Sequence, residues 1–160
     1  MPDVWVATPD EAEVVGGLLI AFRNHLGEDW PSDNAFLAGV ERLIEDRDTE
    51  FLLGSPDPDS PPAGVVQLRF RWGVWLAGGD CLVEDVYVEE HARGHGLGRA
   101  LMGLAAERAT ARGCKRMELD TNEKNTAAVA LYESLGFTAK TGRYDGRDLY
   151  LRRLLDPDRR

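Results

Sequence analysis

No apolar run in this sequence is long enough to cross a bilayer. The longest, Val14 to Phe22, contains two glycines and stops well short of the roughly 20 residues a span requires. Met1 to Asp10 lacks a basic start followed by an apolar stretch, so no secretory leader is expected. Cysteine is scarce: Cys81 and Cys114 are too few for a disulfide scaffold and lack zinc-site spacing. Both read as buried strand-edge thiols, with a bridge between them the alternative. The three histidines, His25, His91 and His95, join no carboxylate or thiol at metal-ligand spacing, so no metal is expected. Together these absences point to a soluble protein of the reducing cytoplasm. Excess positive charge is also missing. Nineteen Lys and Arg stand against 28 Asp and Glu, a net charge of -9, which argues against nonspecific nucleic-acid binding and gives no reason to expect a membrane partner.

What remains is one ordinary domain over residues 1–160, with 43% apolar residues and neither repeat nor linker. Its charge is unevenly spread. Residues 1–90 carry five basic and nineteen acidic side chains, a net of -14, whereas residues 91–160 are net +5. Such asymmetry suits two ligands of opposite sign; a merely solvated acidic surface is the plain alternative.

Helical spacing of Val15, Leu18, Leu19, Phe22 and Leu26 predicts a helix over 10–26, and Phe36, Leu37, Val40, Leu43 and Ile44 a second over 33–46. Strands are expected at 4–8 and 50–54, and alternation of Val66, Leu68, Phe70 and Trp72 with polar neighbours predicts another. Four prolines make 56–64 a loop. A bend over 73–80 leads to a strand over 81–88, in which period two would put Leu82, Glu84, Val86 and Val88 on one face. Helices over 97–112 and 125–135 enclose a strand at 116–121, and strands at 137–141 and 148–154 are expected to close the chain.

The most informative segment is Arg93-Gly94-His95-Gly96-Leu97-Gly98-Arg99, between an apolar strand and a helix. A helix N-terminus offers unpaired N–H groups and a positive dipole end. Glycine lets backbone approach phosphate oxygens, and Arg93 and Arg99 can add charge-assisted contacts. The dinucleotide fingerprint fails here: starting at Gly94 its third glycine falls on Arg99, and starting at Gly96 on Leu101. No Gly-Lys-Ser/Thr follows, so the P-loop fails too.

The spacing Arg-x-x-Gly-x-Gly before a helix resembles the coenzyme A pyrophosphate loop of the GNAT acetyltransferase superfamily. The resemblance continues in Asn125-x-x-Ala128-x-x-Leu131-Tyr132-x-x-x-Gly136-Phe137, and covers about residues 82–137. It implies an α/β fold (α+β) with a mixed, mostly antiparallel sheet splayed between its fourth and fifth strands and flanked by about four helices. It further implies an acetyl-CoA-dependent N-acetyltransferase acting on a primary amine. Acetyl-CoA would be held by the backbone of Val86 and Val88, by Arg93, Gly94, His95, Gly96, Leu97, Gly98 and Arg99, and by Asn125. Tyr132 resembles the family tyrosine near the cofactor sulfur, so it is the candidate acid for the leaving thiolate; a core tyrosine anchored through its hydroxyl is the alternative. Glu84, in a Val-Glu-Asp run like the Leu-Glu-Asp of small-amine enzymes, is the candidate base, with a buried salt bridge to Arg69 or Arg71 as the alternative. Asp85 and Asp120 are weaker candidates. Trp30, Trp72, Trp75 and Tyr144 are candidates for the acceptor pocket, with core packing preferred for Trp72. The acidic N-terminal half favours a small cationic amine as acceptor. A protein lysine or N-terminal acetyltransferase and a non-catalytic acyl-CoA-binding module remain alternatives, and a homodimer through C-terminal strands, frequent among such domains, is open.

Overall fold

The structure is a computed structural model that describes residues 1–140, 145–146, 148–156 and 158. The chain folds as two compact units, Met1–Asp120 and Thr121–Arg160. The first contains β1 (Asp3–Val6), α1 (Ala12–His25), α2 (Asp33–Ile44), β2 (Thr49–Ser55), β3 (Gly64–Gly73), β4 (Gly78–Val88), α3 (Leu97–Ala111) and β5 (Cys114–Glu118). The second contains α4 (Thr126–Ser134). The sheet has the order β1-β2-β3-β4-β5; its first three pairings are antiparallel and β4–β5 is parallel.

Local signals set the helix boundaries. Thr8 and Glu11 form a capping box at the Pro9–Glu11 turn that leads into α1. The Ser32 hydroxyl accepts from the Ala35 N–H at 3.2 Å and starts α2. Gly113 and Gly136, at φ of +75° and +94°, follow α3 and α4.

Alternation along the strands creates two cores. One face presents Phe51, Leu53, Val65 and Tyr87 to Val15, Leu18 and Leu19 of α1 and Val40 of α2. The opposite face receives α3. A Cβ on Gly54 would lie 2.7 Å from Leu97 Cδ1, and one on Gly64 would lie 2.8 Å from Leu101 Cδ1. This facing glycine pair therefore lets α3 lie close on the sheet. Leu97 and Leu101 are fully buried there, each worth about 1.5–3 kcal/mol of transfer free energy. An ion pair ties α3 to β2: Arg108 donates from Nε and Nη2 to buried Glu50, with Nη2 at 2.6 Å.

Two expectations change. The strands expected at 137–141 and 148–154 do not occur among the described residues, and Thr141 lies outside them. Leu149, Tyr150, Leu151 and Leu154 are all more than half exposed, so neither parity of that alternation is buried. Trp72 is also not a core residue: it is 68% exposed, near the tip of the long β3–β4 hairpin. The bend expected over 73–80 is shorter, because β4 begins at Gly78. No helix among the described residues is long and apolar enough to cross a membrane.

Candidate active site

β4 is a long strand with a short partner. It pairs with β3 along its whole length, but with β5 only from Gly79 to Leu82, the last pair being Leu82↔Glu118. From Val83 to Val88 no described residue pairs with its second edge, and the sheet opens there. Val86 and Val88 both lie on this stretch.

β4 also carries an extra residue. Val83 faces Leu68 and Asp85 faces Gln67, so Glu84 has no partner of its own on β3. Such a bulge reverses the alternation beyond it. Val83, Val86 and Val88 therefore fall on the face that receives α3, opposite Leu68, Val66 and Gly64. Asp85 and Tyr87 fall on the face of α1 and α2, with Leu82. The expectation that Leu82, Glu84, Val86 and Val88 share one face is thus corrected.

Glu84 sits at the outer part of the helix-pair face, 43% exposed, with its Oε2 3.4 Å from Arg69 Nη1. It lines an open groove of about 440 Å³ with Asp46, Asp48, Arg69, Arg71 and Leu82. The salt bridge to Arg69 is present, but exposed rather than buried. Asp85 is more enclosed. It lines a cavity of about 180 Å³ with Leu19, Phe22, Arg23, Leu26, Glu28, Trp30 and Phe36. Burial, reinforced by the negative charges of Glu84 and Asp120, pushes its carboxyl up to about 6. Among the described residues it makes no hydrogen bond or ion pair. Arg23, the cation lining this cavity, is engaged elsewhere: Nη1 donates to the Pro31 carbonyl at 2.6 Å and Nη2 lies 2.7 Å from Asp33 Oδ1. Below, Tyr87 stacks on Phe22 with ring centres 5.1 Å apart.

The glycine-rich turn follows β4. Gly94 and Gly96 have φ of +79° and +85°, a region costly for residues with a Cβ, and Gly96 is the N-cap of α3. It brings no capping side chain, and the first turn of α3 has no acidic residue. The N–H groups of Leu97, Gly98 and Arg99 thus have no partner within the helix. Arg93, Gly94, His95, Gly96 and Arg99 are exposed, while the Leu97 side chain is core. Arg93 Nε donates to the Val88 carbonyl at 2.7 Å, which braces the turn against the strand end.

In the second unit, Tyr132 lies on α4 with its ring edge-on to Phe137, centres 6.1 Å apart. Burial raises its hydroxyl above the usual phenol range. That hydroxyl makes no hydrogen bond among the described residues, unlike a core tyrosine anchored through its oxygen. Asn125 Oδ1 accepts from the Ala128 N–H at 3.4 Å and caps α4. Trp75 is 85% exposed on the β3–β4 hairpin, and Tyr144 lies outside the described residues. Sequence reasoning underrated Asp85 and missed the bulge; the signal available was two adjacent carboxylates in an otherwise apolar strand.

Comparison with known proteins agrees with this geometry. The profile of the acetyltransferase (GNAT) family matches residues 19–137. A thialysine N-epsilon-acetyltransferase of Caenorhabditis elegans is 27% identical over 140 residues, covering 87% of this chain and 84% of that protein. A mycothiol acetyltransferase of Thermobispora bispora is 46% identical over 67 residues, and a bovine thialysine N-epsilon-acetyltransferase 32% over 88; these alignments span 23% and 51% of those proteins. Among solved structures, a protein of Arthrobacter sp. FB24 assigned as an acetyltransferase superposes with a TM-score of 0.84 at 29% identity, covering 96% of each chain.

Proposed function

The chain belongs to the GNAT acetyltransferase family, and from that premise we propose that it transfers the acetyl group of acetyl-CoA to a primary amine of a small cationic molecule. Acyl transfer to an amine is the chemistry shared by its named relatives. The observation that carries the cofactor reading is the parting of β4 from β5 beyond Leu82 and Glu118, beside a glycine turn that caps α3.

The residues present fit acetyl-CoA. Its pyrophosphate is an anion, and the start of α3 offers unpaired N–H groups, two glycines in left-handed backbone and no opposing carboxylate. Arg93 and Arg99 add positive charge at the rim. The open edge at Val86 and Val88 suits an amide-bearing arm that hydrogen-bonds as an added strand. When bound, acetyl-CoA supplies an activated acyl carbon and a thiolate leaving group.

The chain's own tasks follow. A backbone N–H near Val86 is suited to stabilise negative charge developing on the acyl oxygen. Tyr132 is our acid for the leaving sulfur; its raised pKa keeps the proton in place near neutrality. Glu84, shared with Arg69, belongs to the rim that a cationic acceptor meets first, within a half of the chain that is net -14.

A turnover screen tests this reading. With acetyl-CoA as donor, polyamines, amino acids, aminosugars, aminoglycosides and peptides are offered and free thiol release is followed. Fastest turnover on a small polycation is expected. Turnover restricted to anionic amino acids or to folded proteins would overturn the acceptor class.

A further inference from the structure

The bulge at Glu84 does more than interrupt the ladder. It turns the next carboxylate, Asp85, into the cavity between α1, α2 and β4, where it faces three aromatic rings, those of Phe22, Trp30 and Phe36. A largely enclosed carboxylate with no hydrogen bond or ion pair is costly. Structural carboxylates of this chain show the contrast: Glu50 holds Arg108 and Asp80 holds Arg71 and Arg116. Asp85 is left without such a cation although Arg23 lines the same cavity, because Pro31 and Asp33 hold that guanidinium.

A cavity lined by aromatic faces and an uncompensated carboxylate recognises a cation. Its size limits the guest. An engineered cavity of about 150 Å³ takes benzene, so about 180 Å³ takes the end of a short arm rather than a sugar ring with its substituents. The opening of the sheet begins at Val83, two residues before Asp85 on the same strand.

We propose that this cavity is the acceptor subsite for a primary amine at the end of a short alkyl or aryl arm, with Asp85 rather than Glu84 as the catalytic carboxylate. The proposal rests on the acetyltransferase reading above and specifies its acceptor side. The ammonium docks against the Asp85 carboxylate and gives it one proton. The freed nitrogen lone pair then forms the C–N bond to the acyl carbon of the thioester donor as the C–S bond breaks. The sulfur leaves with the bond pair and takes a proton. The second proton on nitrogen passes to solvent, as does the one held by Asp85, which restores the carboxylate.

The charged groups around Asp85 are Arg23 of α1, Glu28 in the link to α2, Glu84 beside it and Asp120 after β5; α2 contributes Phe36 to the cavity, and β3 presents Gln67. The excess of negative charge and the burial set its titration at about 6, so the base form is available at neutral pH and lost in mild acid.

The test compares Asp85→Asn, Glu84→Gln and Leu26→Trp with the wild type. Leu26 is 61% exposed and lines the cavity, so a larger ring there fills the subsite without entering the core. Asp85→Asn is expected to lower kcat/KM by about a hundredfold or more and to abolish an acidic limb near pH 6, while acetyl-CoA still raises Tm. Glu84→Gln is expected to cost less than about tenfold and to keep that limb. Leu26→Trp is expected to raise KM for arm-bearing amines. An acidic limb lost in Glu84→Gln and kept in Asp85→Asn overturns the proposal. Calorimetric binding of 1,5-diaminopentane without any acyl donor separates the two levels of the reading. Binding by the wild type that is lost in Asp85→Asn supports the subsite even where no amine is acetylated; equal binding by both proteins overturns it.

Discussion

Val83 and Asp85 stand two residues apart on one strand yet point to opposite faces of the sheet. In a regular strand they would share a face. The single extra residue between them, Glu84, delivers one carboxylate to the rim and the next to an aromatic cavity. From this come two environments for adjacent acids: one exposed and paired with Arg69, the other enclosed and unpaired.

The cost of that arrangement is measurable as stability. Asp85 has a folded pKa of about 6 against an ordinary 3.8. Its neutral form is favoured by folding, so its stabilising contribution is present below 3.8 and is lost as pH rises through about 6. Asp85→Asn is therefore expected to raise stability at pH 8 by about 1–3 kcal/mol, with the gain shrinking as pH falls toward 4. Thermal melts of both proteins across that range check it; a gain that does not depend on pH would assign the effect to packing.

Asp80 predicts the opposite sign. Burial disfavours its ionised form, but hydrogen bonds from Arg116 and Arg71 outweigh burial and hold its carboxyl below the usual range. Its contribution is present above 3.8 and lost as pH falls through the lowered value. Asp80→Asn is expected to cost about 1–2 kcal/mol at pH 7, less than for a fully buried pair because both arginines reach solvent. The Tm difference from wild type should close near pH 3.

At the glycine turn, Gly96→Asp forces a Cβ into backbone at φ of +85° and sets a carboxylate where an anion would bind. The Tm increase caused by acetyl-CoA is expected to fall by most of its size, while NAD gives little stabilisation to either protein. Equal stabilisation of the wild type by NAD and acetyl-CoA would remove the basis for the cofactor assignment.

Tyr132→Phe keeps the ring against Phe137 and deletes only the hydroxyl. A fall in kcat of about ten- to a thousandfold is expected, with acetyl-CoA affinity little changed. Unchanged kcat with a lower Tm would make Tyr132 a packing residue.

The order of elements through α4 was legible because each left a periodic trace: Val15, Leu18 and Leu19 in α1, Val40 and Ile44 in α2, alternation through Val66 and Leu68 in β3. The glycine turn was legible because positive φ selects glycine, at Gly94 and Gly96. The bulge was not, because Glu84 bears no glycine or proline mark and period two runs across it undisturbed. Trp72 misled for a related reason. Alternation reports that a strand has two faces, not how far helices cover them, and β3 is buried only to about Leu68. The tail around Leu149–Leu154 alternates without being buried on either side.

The open edge of β4 also bears on how the protein behaves at high concentration. An extended strand without a neighbour is a template for a second molecule, and charges placed along it are a common guard. Here Glu84 and Asp85 stand at the start of the opening, and Glu89 and Glu90 just past the strand end. Acid that neutralises them would weaken that guard, whereas a cofactor arm lying along Val86 and Val88 would occupy the template itself. Colloidal stability should therefore be poorest for unliganded protein in mild acid, and the donor substrate should act as its own solubiliser.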